Sequence, residues 1–151
     1  RDTPLSRAQA AAIQMQMISR AKIEMAEAAE EILEDPYRHI LKFKVLNEYL
    51  RSPHQKVQIL ALLTQVEVFT DILPAYKIAI NHSEEGRVLS KEVKIQRRYE
   101  GSLLKYYTLL VTFLCRKSNQ IKNKRTVTKF GIGIARGLSR LLHAAHLFNL
   151  R

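Results

Sequence analysis

Acidic residues almost vanish from the second half of this sequence. Only two of its fourteen Asp and Glu, Glu92 and Glu100, lie beyond residue 85, against fifteen Lys and Arg. No paired-carboxylate pattern of the kind hydrolysis uses can be picked out on so basic a half with only those two. Cysteine occurs once, at Cys115, so neither a disulfide framework nor a thiolate metal cluster can form within the chain. Between Phe113-Leu114 and Arg116, near an expected helix end, Cys115 reads as a small buried apolar residue, compatible with a reducing compartment. Long hydrophobic runs are also missing. The most apolar stretch, 103–115, is broken by Lys105 and is shorter than the roughly 20 residues a membrane span needs. No signal-peptide pattern opens the chain, so no membrane partner is expected. Gly and Pro are scarce, five and four in all, and none lies within residues 5–34. With Arg1 in first position and an uncapped helix running to Arg151, the chain is expected to be a fragment of a longer protein.

What is present is charge, unevenly placed. Of the net +11, residues 1–35 contribute −3, residues 36–85 contribute +1 and residues 86–151 contribute +13. Such asymmetry points to an anionic partner for the second half. Nucleic acid fits that description, since each neutralised phosphate releases counterions; the plainer alternative is a basic surface that only confers solubility. Apolar residues make up 46 %, enough for a folded core and too many for a disordered tail. At 151 residues the chain supports one domain.

Periodicity predicts an all-α fold. Residues 5–34 are rich in Ala, Met, Gln and Glu, all good helix formers. Ile18, Met25 and Ile32 recur every seven residues with Ala21 and Ala28 between them, a thin seam suited to lying along another helix. Glu24, Glu27, Glu30, Glu31 and Glu34 read as a solvated face, with no His or Asp at ligand spacing. Asp35-Pro36 and Ser52-Pro53 each pair an N-cap residue with a proline at the first helical position. They predict a helix of about 14 residues and then a second one ending at Leu73 before Pro74. In the second, Val57, Ile59, Leu60, Leu62, Leu63, Val66, Val68, Phe69, Ile72 and Leu73 point almost all round, which implies burial all round. Two such antiparallel helices match a HEAT-type unit. Residues 74–89 read as a connector with turn residues. A helix over about 90–117 gathers Ile95, Tyr99, Leu103, Tyr106, Tyr107, Leu110 and Leu114 on one arc, and Lys91, Lys94, Arg98 and Lys105 opposite. Residues 118–125 (SNQIKNKR) read as a cationic loop. A last helix over about 126–148 carries a seam of Phe130, Ile134, Leu138, Leu141, Ala145 and Phe148, with Lys129, Arg136 and Arg140 on its other face.

No catalytic site, metal site or cofactor is expected. Gly131, Gly133 and Gly137 follow no strand and lack the Lys-Ser/Thr of a phosphate loop; glycines on a helix instead permit close helix–helix approach. His143 and His146 stand three apart without a third or fourth ligand, and read as partly buried residues near a helix end. Tyr106-Tyr107 beside Lys105 could stack bases, although helical spacing makes at least one ring core. The candidate electrostatic surface, clamping phosphates with little sequence information, is Arg87, Lys91, Lys94, Arg97, Arg98, Arg116, Lys117, Lys122, Lys124, Arg125, Arg136 and Arg140.

Four stretches, ILEDPYRHILKFKVL (32–46), VFTDILPAYKI (68–78), SKEVKIQRRYEGSLLKYY (90–107) and HLFNLR (146–151), resemble in sequence and in order the nucleolar complex protein 3 family. The resemblance covers most of 33–151 and corresponds to that family's N-terminal domain. It implies a HEAT-like helical-repeat solenoid fragment over 36–151, to which the residue pattern of 1–35 adds a long N-terminal helix whose packing depends on a partner. It further implies a non-catalytic scaffold of the nucleus and nucleolus that assembles the large ribosomal subunit, with attendant rRNA processing. Nucleolar complex protein 2 and the pre-ribosomal particle would be its partners. The alternatives are a chromatin-associated DNA replication initiation factor and a pure protein-interaction module.

Overall fold

The computed structural model describes residues 4–74, 78, 88–124 and 129–144. Among them are six α-helices and one 3-10 turn, with no strand, so the molecule is all-α as its periodicity predicts. Helix α1 spans Arg7–Glu34. A reciprocal capping box starts it: Gln9 N donates to Ser6 Oγ (3.2 Å) and Ser6 N donates to Gln9 Oε1 (2.9 Å). Its seven-residue seam is buried as expected at Ala21, Met25, Ala28 and Ile32, with Ile18 partly covered. Those residues lie against α3 (Phe43–Leu50) and α4 (Gln55–Ile72). Small Ala side chains let the helix axes approach closely, which is why so thin a seam suffices.

Asp35 starts the next segment, its side chain accepting from Arg38 N (3.2 Å), with Pro36 at the first helical position. The single helix expected here is in fact divided. Helix α2 is only Pro36–His39, a 3-10 turn follows at Ile40–Lys42, and α3 begins at Phe43. Tightening to three residues per turn eclipses positions i and i+3, so Ile40 and Phe43 both enter the core, 3 % and 0 % exposed. Glu31 of α1 fastens this turn through Lys42 (3.0 Å) and His39 (3.3 Å).

Ser52-Pro53 does punctuate the chain, but Ser52 does not cap α4. Its hydroxyl accepts from His54 N (3.2 Å), and His54, without a side-chain bond to the helix, holds the N-cap position. The His54 ring instead reaches α1 through Gln14. Helix α4 is buried or partly buried at every apolar position from Val57 to Ile72, matching its all-round apolar pattern. It ends at Leu73, whose extended backbone is the conformation that a following proline favours.

Helix α5 spans Lys91–Lys124, so residues 118–124 continue the helix where a loop was expected. That stretch contains neither Gly nor Pro, and Ile121 packs against the core and holds the extra turns in register. An aromatic cluster joins three helices. Phe43 of α3 stacks on Phe69 of α4 (centroids 4.5 Å) and on Tyr106 of α5 (5.5 Å), while Tyr107 meets Phe69 edge-on (5.6 Å). Helix α6, Lys129–Ala144, packs on α4 and α5. A Cβ on Gly137 would sit 3.4 Å from Val66, 3.8 Å from Leu114 and 3.9 Å from Leu62. This glycine therefore marks the close helix approach expected of it. Cys115 is exposed, contrary to expectation, because one further step of about 100° turns it away from buried Phe113 and Leu114. The expectations for 75–77, 79–87, 125–128 and 145–151 lie outside the described residues.

Candidate functional site

The rotation of α5 is set by its buried arc: Tyr99, Leu103, Tyr106, Tyr107, Leu110, Phe113 and Leu114. Lys91, Lys94, Arg98, Lys105 and Arg116 are all exposed. At about 100° per residue they fall within an arc of about 60° on the opposite side, and at 1.5 Å per residue the stripe is about 38 Å long. Arg97 is exposed too, but faces to one side of the stripe. Ile95, placed by periodicity on the apolar arc, lies at its margin and is 47 % exposed.

The charges at the head of α5 run against helix electrostatics. A helix N-terminus carries positive partial charge and is stabilised by acids. Here only Glu92 supplies one in the first turn, and Lys91 and Lys94 stand beside it. Cations at that end cost the fold stability, and a broken local rule is where function is expected. Farther along, the stripe is braced by rings: Lys105 Nζ lies 5.7 Å from the Tyr106 centroid. The Arg116 guanidinium lies 6.0 Å from that of Phe113; Lys117, turned off the stripe toward the buried arc and partly buried, sets its Nζ 5.7 Å from the same centroid.

Both rings of the Tyr106-Tyr107 pair are buried in the aromatic cluster, so neither presents a face to a base. Burial pushes the Tyr107 phenol up from its ordinary pKa. The exposed aromatic is one that the sequence pattern does not single out. Tyr37 of α2 stacks on Tyr99 of α5 (4.2 Å, 28°) and is 52 % exposed. Beside it, Tyr37, Arg38, Ile40, Leu41, Ile95 and Arg98 line a cleft of about 260 Å³. Thus α2 brings Arg38 to the basic stripe across a sequence gap of sixty residues to Arg98. The available signal was Pro36-Tyr37-Arg38, a helix start ending in an aromatic and a cation.

The remaining candidates are dispersed. Arg136 and Arg140 are exposed on α6, and Arg140 is engaged with Glu67 of α4, bridging two helices. Lys122 and Lys124 belong to the last turns of α5, their side chains outside those described. Arg87, Arg125 and His146 also lie outside the described residues. His143 is exposed rather than partly buried, because it faces away from the α6 seam that buries Leu141. Among the described residues no three His, Cys, Asp or Glu side chains converge as metal ligands, and no helix is long and apolar enough to cross a membrane.

The family model for nucleolar complex-associated protein matches residues 20–109, from the seam of α1 to the middle of α5, including Lys91, Lys94, Arg98 and Lys105 of the stripe but not Arg116. Nucleolar complex-associated protein 3 of Schizosaccharomyces pombe is 30 % identical over 139 residues, covering 89 % of this chain and 18 % of that protein. The Arabidopsis thaliana protein of the same name is 38 % identical over 87 residues, 57 % of this chain and 10 % of its own. The nucleolar complex protein 3 homolog of Mus musculus is 34 % identical over 91 residues, 57 % and 11 % respectively. The chain thus spans less than a fifth of the length of each of these relatives.

Proposed function

The chain belongs to the nucleolar complex-associated protein 3 family, and from that premise we propose that it is part of a non-catalytic scaffold in large ribosomal subunit assembly. In this reading it works in the nucleolus with nucleolar complex protein 2. Its helices form a HEAT-like unit whose rigidity comes from the Phe43–Phe69–Tyr106–Tyr107 cluster. The α5 stripe meets pre-ribosomal RNA or acidic assembly factors during rRNA processing. Binding holds the precursor in one arrangement until later steps. The observation that carries the proposal is the placement of Lys91, Lys94 and Arg98 as exposed cations on the face opposite the buried arc.

Charge reversal at Lys91, Lys94 and Arg98 in the full-length protein tests it. Association with large-subunit precursors at physiological salt should fall by at least tenfold, since a phosphate that is no longer neutralised keeps its counterions. Unchanged association would overturn the proposal. Ultraviolet crosslinking in cells should recover precursor RNA on peptides from residues 87–140. Release from nuclear extracts by DNase and not by RNase would favour the replication factor on chromatin instead.

A further inference from the structure

The geometry points to the cleft between α2 and the head of α5 as the seat of an acidic peptide segment of a partner protein, which inserts one aliphatic or aromatic side chain. The inference rests on the reading of α5 as a contact face and adds to it a protein contact at the edge that Ile95 and Arg98 share with α2. The wall is apolar: Ile40 is buried behind it, while Leu41 and Ile95 stand 50 % and 47 % exposed, with Tyr37 52 % exposed beside them. Branched aliphatics facing water around a concavity lack the cover that their neighbours on the same helices have. The flanks are cationic, with Arg38 and Arg98 lining the cleft and Lys91 and Lys94 on the stripe that Arg98 continues. Among the described residues no acidic side chain lines it.

Size and chemistry together choose the occupant. About 260 Å³ admits one Leu-, Ile- or Phe-sized side chain and not a helix. An apolar anchor ringed by Arg and Tyr is the composition of an interface hot spot, and the surrounding cations select acidic flanks and speed their encounter. An RNA base fits less well. Ile40, Leu41 and Ile95 offer no flat surface for stacking, and the Tyr37 ring is already stacked on Tyr99.

Panning a phage-displayed library of random twelve-residue peptides on the full-length protein tests the cleft. Enriched peptides should carry Asp and Glu around a single Leu, Ile or Phe. The best of them should bind a Leu41→Ser/Ile95→Ser variant at least tenfold more weakly, while a twelve-nucleotide uridine RNA binds both proteins within twofold. Both substituted positions are half-exposed, and an unchanged melting temperature would verify that the variant is folded. No acidic enrichment, peptides without an apolar residue, or equal binding to the variant would overturn the inference. So would loss of the RNA alone from the variant, which would assign the cleft to a nucleotide. Failure here with precursor association still dependent on Lys91, Lys94 and Arg98 removes only the cleft. Precursor association indifferent to those cations removes the proposed function itself.

Discussion

The two long helices, α1 and α5, solve the same problem differently. Each has an exposed N-terminal portion and a packed portion, but α1 packs with Ala21, Met25, Ala28 and Ile32 whereas α5 packs with the rings of Tyr99, Tyr106, Tyr107 and Phe113. The exposed half of α1 follows helix rules: good helix formers and a complete capping box. The exposed head of α5 is capped as well, Ser90 Oγ accepting from Val93 N (3.3 Å), but beside Glu92 it sets Lys91 and Lys94 where acids are preferred. A segment that stays helical against its own electrostatics depends on the aromatic anchor behind it. The difference teaches where local sequence suffices to hold a helix and where tertiary packing must.

The largest expected effect breaks that anchor. Phe43→Ala removes the ring shared by Phe69 and Tyr106, and truncating a fully buried Phe costs about 3–5 kcal/mol. Chemical denaturation should register the loss. Hydrogen exchange should show α5 amides over 91–106 losing protection before those of α1, because α1 keeps its own seam on α4. Equal loss in both helices would mean that the aromatic cluster is not what holds the head of α5.

Next in size is a pair of glycine substitutions with opposite signs. Gly137→Leu overfills a contact already at 3.4 Å from Val66 and should destabilise by about 1–3 kcal/mol. Gly101→Ala, on the exposed side of α5 with nothing within 4 Å, should stabilise by about 0.5–1 kcal/mol through helix propensity alone. Thermal melts of both variants check the signs.

Much of this arrangement is legible in the sequence, for reasons particular to each element. The arcs through Ile18, Met25 and Ile32, and from Tyr99 to Leu114, can be read because a helix of regular pitch converts spacing directly into a face. The 3-10 turn at Ile40–Lys42 cannot, since it departs from that pitch only to bring Ile40 and Phe43 together on the core. The end of α5 reads as a loop because SNQIKN has loop-like polarity, while Ile121 decides the matter by packing. At the candidate site, periodicity supplies the stripe on α5 but not Tyr37 and Arg38. Those come from a different helix, and one helix's spacing carries no information about its neighbour.

A smaller effect sharpens the comparison at the head of α5. Replacing Lys91 and Lys94 together by Glu should raise unfolding stability, by about 0.3–1 kcal/mol per site, because acids suit a helix N-terminus. The same change should weaken nucleic-acid binding and flatten its salt dependence. Stability and binding moving in opposite directions would identify these lysines as retained for contact. Were both to fall, the lysines would be structural after all.

The smallest effect belongs to α1 and is read by pH. The Tyr49 hydroxyl of α3 donates to the Glu24 carboxylate, which also pairs with Arg20 (2.8 Å). The bond from Tyr49, and then that from Arg20, hold the Glu24 carboxyl below its usual range, while the same carboxylate raises the Tyr49 phenol. Glu24 therefore contributes stability above the ordinary carboxylate range, near about pH 4.3, that is lost as pH falls through its lowered value. Tyr49 contributes stability below about pH 10 that is lost as pH rises through its raised value. Tyr49→Phe removes the Tyr49 dependence and the leading part of that of Glu24, leaving the part due to Arg20, so its difference from wild type should be greatest between these limits and shrink toward each extreme. Both groups are partly or largely in water, which keeps the difference small. Melting temperatures measured from about pH 3 to pH 11 would decide. No difference at any pH would mean that Tyr49 holds α1 by ring packing alone, which Phe retains, and the seam of α1 would then resemble the aromatic anchoring of α5 more closely than its small residues suggest.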